Sequence, residues 1–98
     1  MFVGWARVEL HLPDAASLKD KRQVVRSILD SAHKRMRCAA AEIDFLDLRQ
    51  RAAIGFSVVS NDASHAQTLI AELVRRADTA AGAEMLRVEQ GLFSEEDR

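Results

Sequence analysis

SLKDKRQVVRSILDSAHKRMR, from Ser17 to Arg37, is the strongest helical pattern in the chain. Advancing about 100° per residue from Leu18 gathers Leu18, Val25, Ile28, Leu29, Ala32 and Met36 on one apolar stripe, which predicts an amphipathic helix. Ser17 is its expected N-cap: the hydroxyl accepts from the N–H three residues on, and the Asp20 carboxylate suits the positive end of the helix dipole. A helix that is apolar on one stripe only has to lie on another layer, so the flanking segments decide the fold.

On the N-terminal side, Phe2 to Leu12 alternates as a strand, with Phe2, Gly4, Ala6, Val8, Leu10 and Leu12 on one face and Val3, Trp5, Arg7, Glu9 and His11 on the other. Pro13, without a backbone N–H, ends it. On the C-terminal side, Cys38 to Phe45 and Gln50 to Ser60 read as two strands joined by a hairpin turn at Leu46 to Arg49. The third strand sends Ala52, Ile54, Phe56 and Val58 inward, leaving Arg51, Ala53, Gly55, Ser57 and Val59 outside. Asn61 or Asp62 caps a second helix with Ala66, Leu69, Ile70, Leu73, Val74 and Ala77 at helical spacing, and Gly82 stops it. A last strand, Glu84 to Phe93, is expected to place Leu86 and Val88 inward. The order β-α-β-β-α-β predicts an α+β, ferredoxin-like βαββαβ sandwich: a four-stranded antiparallel sheet with two helices on one face. One domain covers 1–93, followed by an acidic C-terminal tail at 94–98.

Charge is segregated along this plan. The chain of 98 residues has net charge −1, yet residues 17–37 hold seven of its fourteen Lys and Arg against two acids, a local +5. Lys19, Arg22, Arg26, His33 and Arg37 fall within an arc of roughly 60°, a basic flank about 27 Å long at the helical rise of about 1.5 Å per residue. A solvated face with local ion pairs explains such a flank, and so does an anion site. On the second reading, RNA phosphates bind at Lys19, Lys21, Arg22 and Arg26, with Arg37 and Arg51 assisting. The uncovered sheet face carries Trp5, Arg7 and His11 beside Arg51 and small residues. It is either a docking surface or an indole covered by a side chain or a second copy, and self-association through this face or an edge strand makes the chain a homodimer.

Several classes are disfavoured. The single Cys38 permits no intrachain disulfide and fits a reducing cytoplasm, nothing marks export, and no apolar run approaches membrane-spanning length. His11, His33 and His65 are dispersed without metal-site spacing, so no metal and no cofactor is expected. Acylphosphatases of this fold need a Gly- and Arg-bearing phosphate cradle after the first strand, where this chain has Pro13-Asp14-Ala15-Ala16. Glu42, Asp44 and Asp47 form the closest carboxylate group, more simply read as a soluble hairpin end than as a magnesium or catalytic site. Ile54-Gly55-Phe56-Ser57-Val58 superficially matches the base-stacking strand of RNA recognition modules, but its phase points Phe56 inward. No enzyme is expected.

Ser17-Leu18-Lys19, Lys21-Arg22, Ala41-Glu42, Asp47, Gln50-Arg51-Ala52, Gly55 and Val59-Ser60-Asn61 resemble the motif SLKxKR, AE, DxxQRAxxG, VSN of the YlxP-like (DUF503-type) family of small bacterial proteins of unknown function. The resemblance spans about residues 1 to 92 and departs at Phe45, where the family often has His, and at Arg49, where it often has Trp. It implies a ferredoxin-like fold and a bacterial cytoplasmic setting. It also implies a gene neighbourhood of transcription and translation factors that includes ribosome-binding factor A.

Overall fold

The computed structural model describes residues 1–96. Its elements are β1 (Phe2–His11), α1 (Leu18–Asp30), a π-helical turn (Ser31–Arg35), β2 (Ala39–Asp44), β3 (Arg51–Ser60), α2 (Ala63–Asp78) and β4 (Glu84–Ser94). The sheet order is β2-β3-β1-β4 with every neighbouring pair antiparallel, the split βαβ arrangement expected from the sequence. β1 sits in the middle because its alternation is clean: Ala6, Val8 and Leu10 are buried under the helices, as is Leu12 just past the strand. β1 and β3 pair without interruption from Phe2 opposite Ser60 to His11 opposite Arg51. Gly4 lets α2 lie close, since a Cβ there would come within 2.8 Å of Ile70 Cγ1.

The helices depart from expectation at their ends and in the burial of Lys21. Ser17 caps α1 through its Oγ, which accepts from the Asp20 N–H at 3.1 Å. The buried residues are Lys21, Val25 and Ile28, with Ala32 in the π turn, so the buried stripe is rotated away from Leu18 toward Lys21. The α-helix ends at Asp30 and the chain continues through the wide turn, in which Ala32 stays buried, while Leu29 and Met36 pack against the core as the stripe predicts. Asp62, not Asn61, caps α2, accepting from the Ser64 and His65 N–H groups. That helix ends at Asp78, earlier than Gly82, which instead takes φ +83° in the following turn.

β4 corrects the expected inward pair Leu86 and Val88. A bulge places Arg87 opposite Glu9 but Met85 opposite Leu10, so Leu86 is squeezed out to 51% exposure and Met85 packs inward in its place. Val88 lies opposite Val8 yet stays open at the sheet edge. β4 continues through a buried Ser94, one residue beyond the expected end of the domain, and Glu95 accepts from the Met1 ammonium at 2.9 Å. The remainder of the expected acidic tail, 97–98, lies outside the described residues. Among the described residues no helix is long and apolar enough to cross a membrane.

Candidate functional site

Lys21 was expected on the basic flank; the structure buries it to 1% exposure. Its Nζ donates to the carbonyl oxygens of Phe45 (2.8 Å), Leu46 (3.2 Å) and Arg51 (3.3 Å), one acceptor for each ammonium N–H. Glu42 Oε2 lies 2.8 Å from the same nitrogen and supplies the counter-charge. Lys21 therefore cannot offer its charge to an RNA phosphate, because β2, β3 and their connecting turn already use it. Arg51, the other expected assistant, is also engaged: its guanidinium stacks 4.7 Å from the Phe45 ring centroid and its Nη2 lies 3.6 Å from Glu9 Oε2. Phe45 sits in the left-handed region at φ 60°, where the lysine holds its carbonyl. Gln50 Nε2 donates to the carbonyls of Pro13 (3.3 Å) and Ala15 (3.4 Å). The SLKxKR, AE and QRA residues thus converge at one end of the molecule, largely as a clamp on loops that lack regular pairing.

The exposed cations divide into two kinds. Arg7, Lys34, Arg75, Arg76 and Arg87 all have carboxylate partners within 4 Å. Lys19, Arg22, Arg26, Arg35, Arg37 and Arg49 have no hydrogen bond or ion pair from their side chains among the described residues, and all six are exposed. All but Arg49 lie on α1 or the segment that continues it. Of the expected RNA contacts, Lys19, Arg22, Arg26 and Arg37 are available, while Lys21 and Arg51 are not.

Two depressions flank this helix. Toward β2, Arg22, Arg26 and His33 border a groove of about 280 Å³ whose floor includes Val25, Leu29 and the neutralised Glu42. His33 Nε2 lies 3.0 Å from the Ala40 carbonyl oxygen at the strand edge. Toward α2, Arg26, Lys34, Arg35 and Arg76 surround an open cleft of about 590 Å³ with Ser27 and Ser31 on its wall and Asp30 as its acid. Arg76 Nη1 donates to Ser31 Oγ at 3.1 Å and Nε lies 3.1 Å from Glu72 Oε1, which sets the guanidinium at the cleft wall. The sequence reading missed Lys34, Arg35 and Arg76. The first two lie in the π turn, and the third comes from α2, where Arg76 meets Ser31 across 45 residues of sequence.

The open sheet face is chemically quieter. Trp5 is 40% exposed, but its indole covers the gap left by Gly91 on β4, where a Cβ would come within 2.7 Å of Nε1. Arg7 Nη2 lies 3.1 Å from Asp44 Oδ2 and 3.2 Å from Glu9 Oε1, and His11 Nδ1 lies 3.3 Å from Glu84 Oε2. The Phe45 N–H and then Arg7 hold the Asp44 carboxyl below its ordinary range. Trp5, Arg7 and His11 do share this face as expected. Beside them Ala39, Ala41, Gly55 and Ser57 floor a shallow apolar groove of about 410 Å³ walled by Trp5 and Ile43. Cys38 is half-buried and burial pushes its thiol up, away from thiolate chemistry. Among the described residues no three His, Cys, Asp or Glu side chains gather as metal ligands.

The arrangement is that of a ferredoxin-like domain with a strongly cationic helix face. Its backbone resembles that of a de novo designed protein with ferredoxin fold, solved by NMR, at a TM-score of 0.58 and 10% identity over 97% of this chain and 88% of that one. The chain belongs to the family described as "Protein of unknown function (DUF503)", which it matches over residues 3–90. It is also 36% identical over 59 residues to "Uncharacterized protein YlxP" of Bacillus subtilis (strain 168), a match spanning 60% of this chain and 64% of that relative.

Proposed function

We propose that this protein is a non-catalytic accessory factor of the bacterial cytoplasm that binds structured RNA, alone or within the ribosome, through phosphates laid on α1. One observation carries the reading: the cations left without partners are concentrated on α1 and its continuation, while those on the sheet face and α2 are paired. Leaving cations unpaired on one helix raises the local potential without changing the net charge, which suits a polyanion. The expected recognition is of shape and phosphate, because the side chains on that face are cationic and not aromatic. Phe56, the ring of the motif-like third strand, is 3% exposed and unavailable for stacking.

The test is binding of the full chain to a structured RNA across a salt series, followed by fluorescence anisotropy. Affinity is expected to fall steeply with salt, and Lys19→Glu with Arg22→Glu and Arg26→Glu is expected to abolish binding while the thermal melt stays cooperative. Each single neutralisation should lower the log–log salt slope by about 1. Arg75→Gln, which removes a cation already paired to Glu72, is expected to leave binding unchanged. Binding that ignores salt, or that survives the triple reversal, overturns the proposal.

A further inference from the structure

The sheet has two free edges, and they are built differently. β2 is six residues long, carries a bulge between Glu42 and Asp44, and has its Ala40 carbonyl covered by His33. These are the devices that keep an edge from pairing with another strand. β4 is eleven residues long and, beyond the bulge at Leu86, pairs regularly with β1 from Arg87 to Ser94. No side chain from a helix reaches across its outer edge in the hydrogen bonds of the described residues.

The charges along that edge have a pattern. On the open face, Glu9 of β1 lies opposite Arg87 of β4, and one step along the same face Arg7 lies opposite Glu89. Signs therefore alternate both along β4 and across from β1, and Arg87 Nη2 meets Glu89 Oε1 at 3.2 Å within one strand. We infer that β4 pairs antiparallel with β4 of a second copy of this chain, about a two-fold axis at Val88, so that Arg87 of each copy faces Glu89 of the other. This register continues the alternation across the boundary: Glu9, Arg87, then Glu89 and Arg7 of the second copy. Residues directly opposite in an antiparallel pair share a face, so both ion pairs lie on the open side and the two Val88 side chains meet on the helix side. Shifting the axis to Glu89 sets that carboxylate against its own copy, and shifting it to Gln90 puts Arg87 opposite Phe93. The register at Val88 is the one that satisfies the charges twice.

The bulge at Leu86 limits the ladder to a short central stretch. The contact sits at the small end of interface sizes, and the dimer is expected to exchange rapidly with monomer. A two-fold axis perpendicular to the sheet also keeps both helix layers on the same side of an eight-stranded sheet, so both α1 faces stay uncovered.

Sedimentation equilibrium of the full chain, up to roughly 1 mM, reads this directly. The native chain is expected to show a monomer–dimer equilibrium. Arg87→Glu alone and Glu89→Arg alone should each weaken it by about tenfold or more, since two attractive pairs become two repulsive ones. An equimolar mixture of the two variants should recover association as a heterodimer, which a merely structural role for either residue would not produce. A second readout does not depend on charge reversal: in a Cys38→Ala background, Val88→Cys is expected to cross-link on mild oxidation and Gln90→Cys is not, because opposed Cα atoms at the axis fall within disulfide reach. A native chain that stays monomeric, single reversals that associate like the native chain, a mixture that fails to recover, or cross-linking through residue 90 instead of 88 each overturns the inference.

Discussion

Replacing Lys21 by methionine keeps the length and apolar stem of the side chain and removes only the ammonium. Three carbonyl oxygens then lose their donor and Glu42, with 16% of its side chain exposed, loses its counter-charge. Removing one partner of a buried ion pair costs about 3–5 kcal/mol. Glu42 lies on an edge strand and can turn toward water, so the loss belongs at the lower end, about 3 kcal/mol. A small domain has roughly 5–15 kcal/mol to lose, so Lys21→Met is expected to fold, with its melting temperature lowered by about 12–24 °C. Urea unfolding followed by far-UV circular dichroism measures the difference, and Lys19→Met, at an exposed side chain without a hydrogen bond or ion pair among the described residues, serves as the control at within about 0.5 kcal/mol. In a double-mutant cycle with Glu42→Gln the two changes should be non-additive by about 1–3 kcal/mol. A loss below about 1 kcal/mol, the size of a surface pair, would refute the clamp and return Lys21 to the list of solvent-facing cations.

Acid should unfold the protein through its depressed carboxyls. Asp62, held down by Ser64 and the His65 N–H, and Asp44 lie below the ordinary aspartate value of 3.8, and Glu72 beside Arg75 lies below 4.5. Groups lowered in the folded state contribute stability above those ordinary values and lose it as pH falls through the folded ones. Stability in a urea series should thus be flat above them and decline below, and Asp62→Asn, which still caps, should make the decline shallower. Arg37 occupies φ 53° after the π turn, so Arg37→Gly should raise stability by about 0.5–1 kcal/mol in the same assay. It should also lower the RNA salt slope by about 1.

What the sequence made legible was whatever depended on a period. β1 and β3 alternate over ten residues with small or apolar inward positions, and their register followed. α1 was legible as a helix, with Val25, Ile28, Leu29, Ala32 and Met36 of its stripe in or against the core, and was misread at Lys21 for one reason: the rule that lysine faces water set it outside, although Lys21, Val25 and Ile28 keep the spacing of a single stripe. The pairing that buries it joins residues from β2, the hairpin turn and β3, which no local window contains. Leu86 was misplaced because Met85 and Leu86 are adjacent apolar residues, and alternation alone cannot say which of them a bulge expels. The cleft cations were invisible for a simpler reason. Arg76 reaches Ser31 across 45 residues of sequence, and its own neighbourhood shows only the basic end of a helix.

The central position of β1 has a consequence for how the chain acquires its shape. Its ladders run to Ser60 on one side and Ser94 on the other, so the sheet closes only when segments separated by most of the chain meet. Such long closures slow folding relative to a helical domain of equal size. During synthesis β1 emerges before both of its partners, which arrive in turn, with β4 the last of the strands. Until then β1 presents a full unpaired edge flanked by Val8 and Leu10. For a nascent chain, the interval before β4 docks is the one in which a chaperone has something to hold.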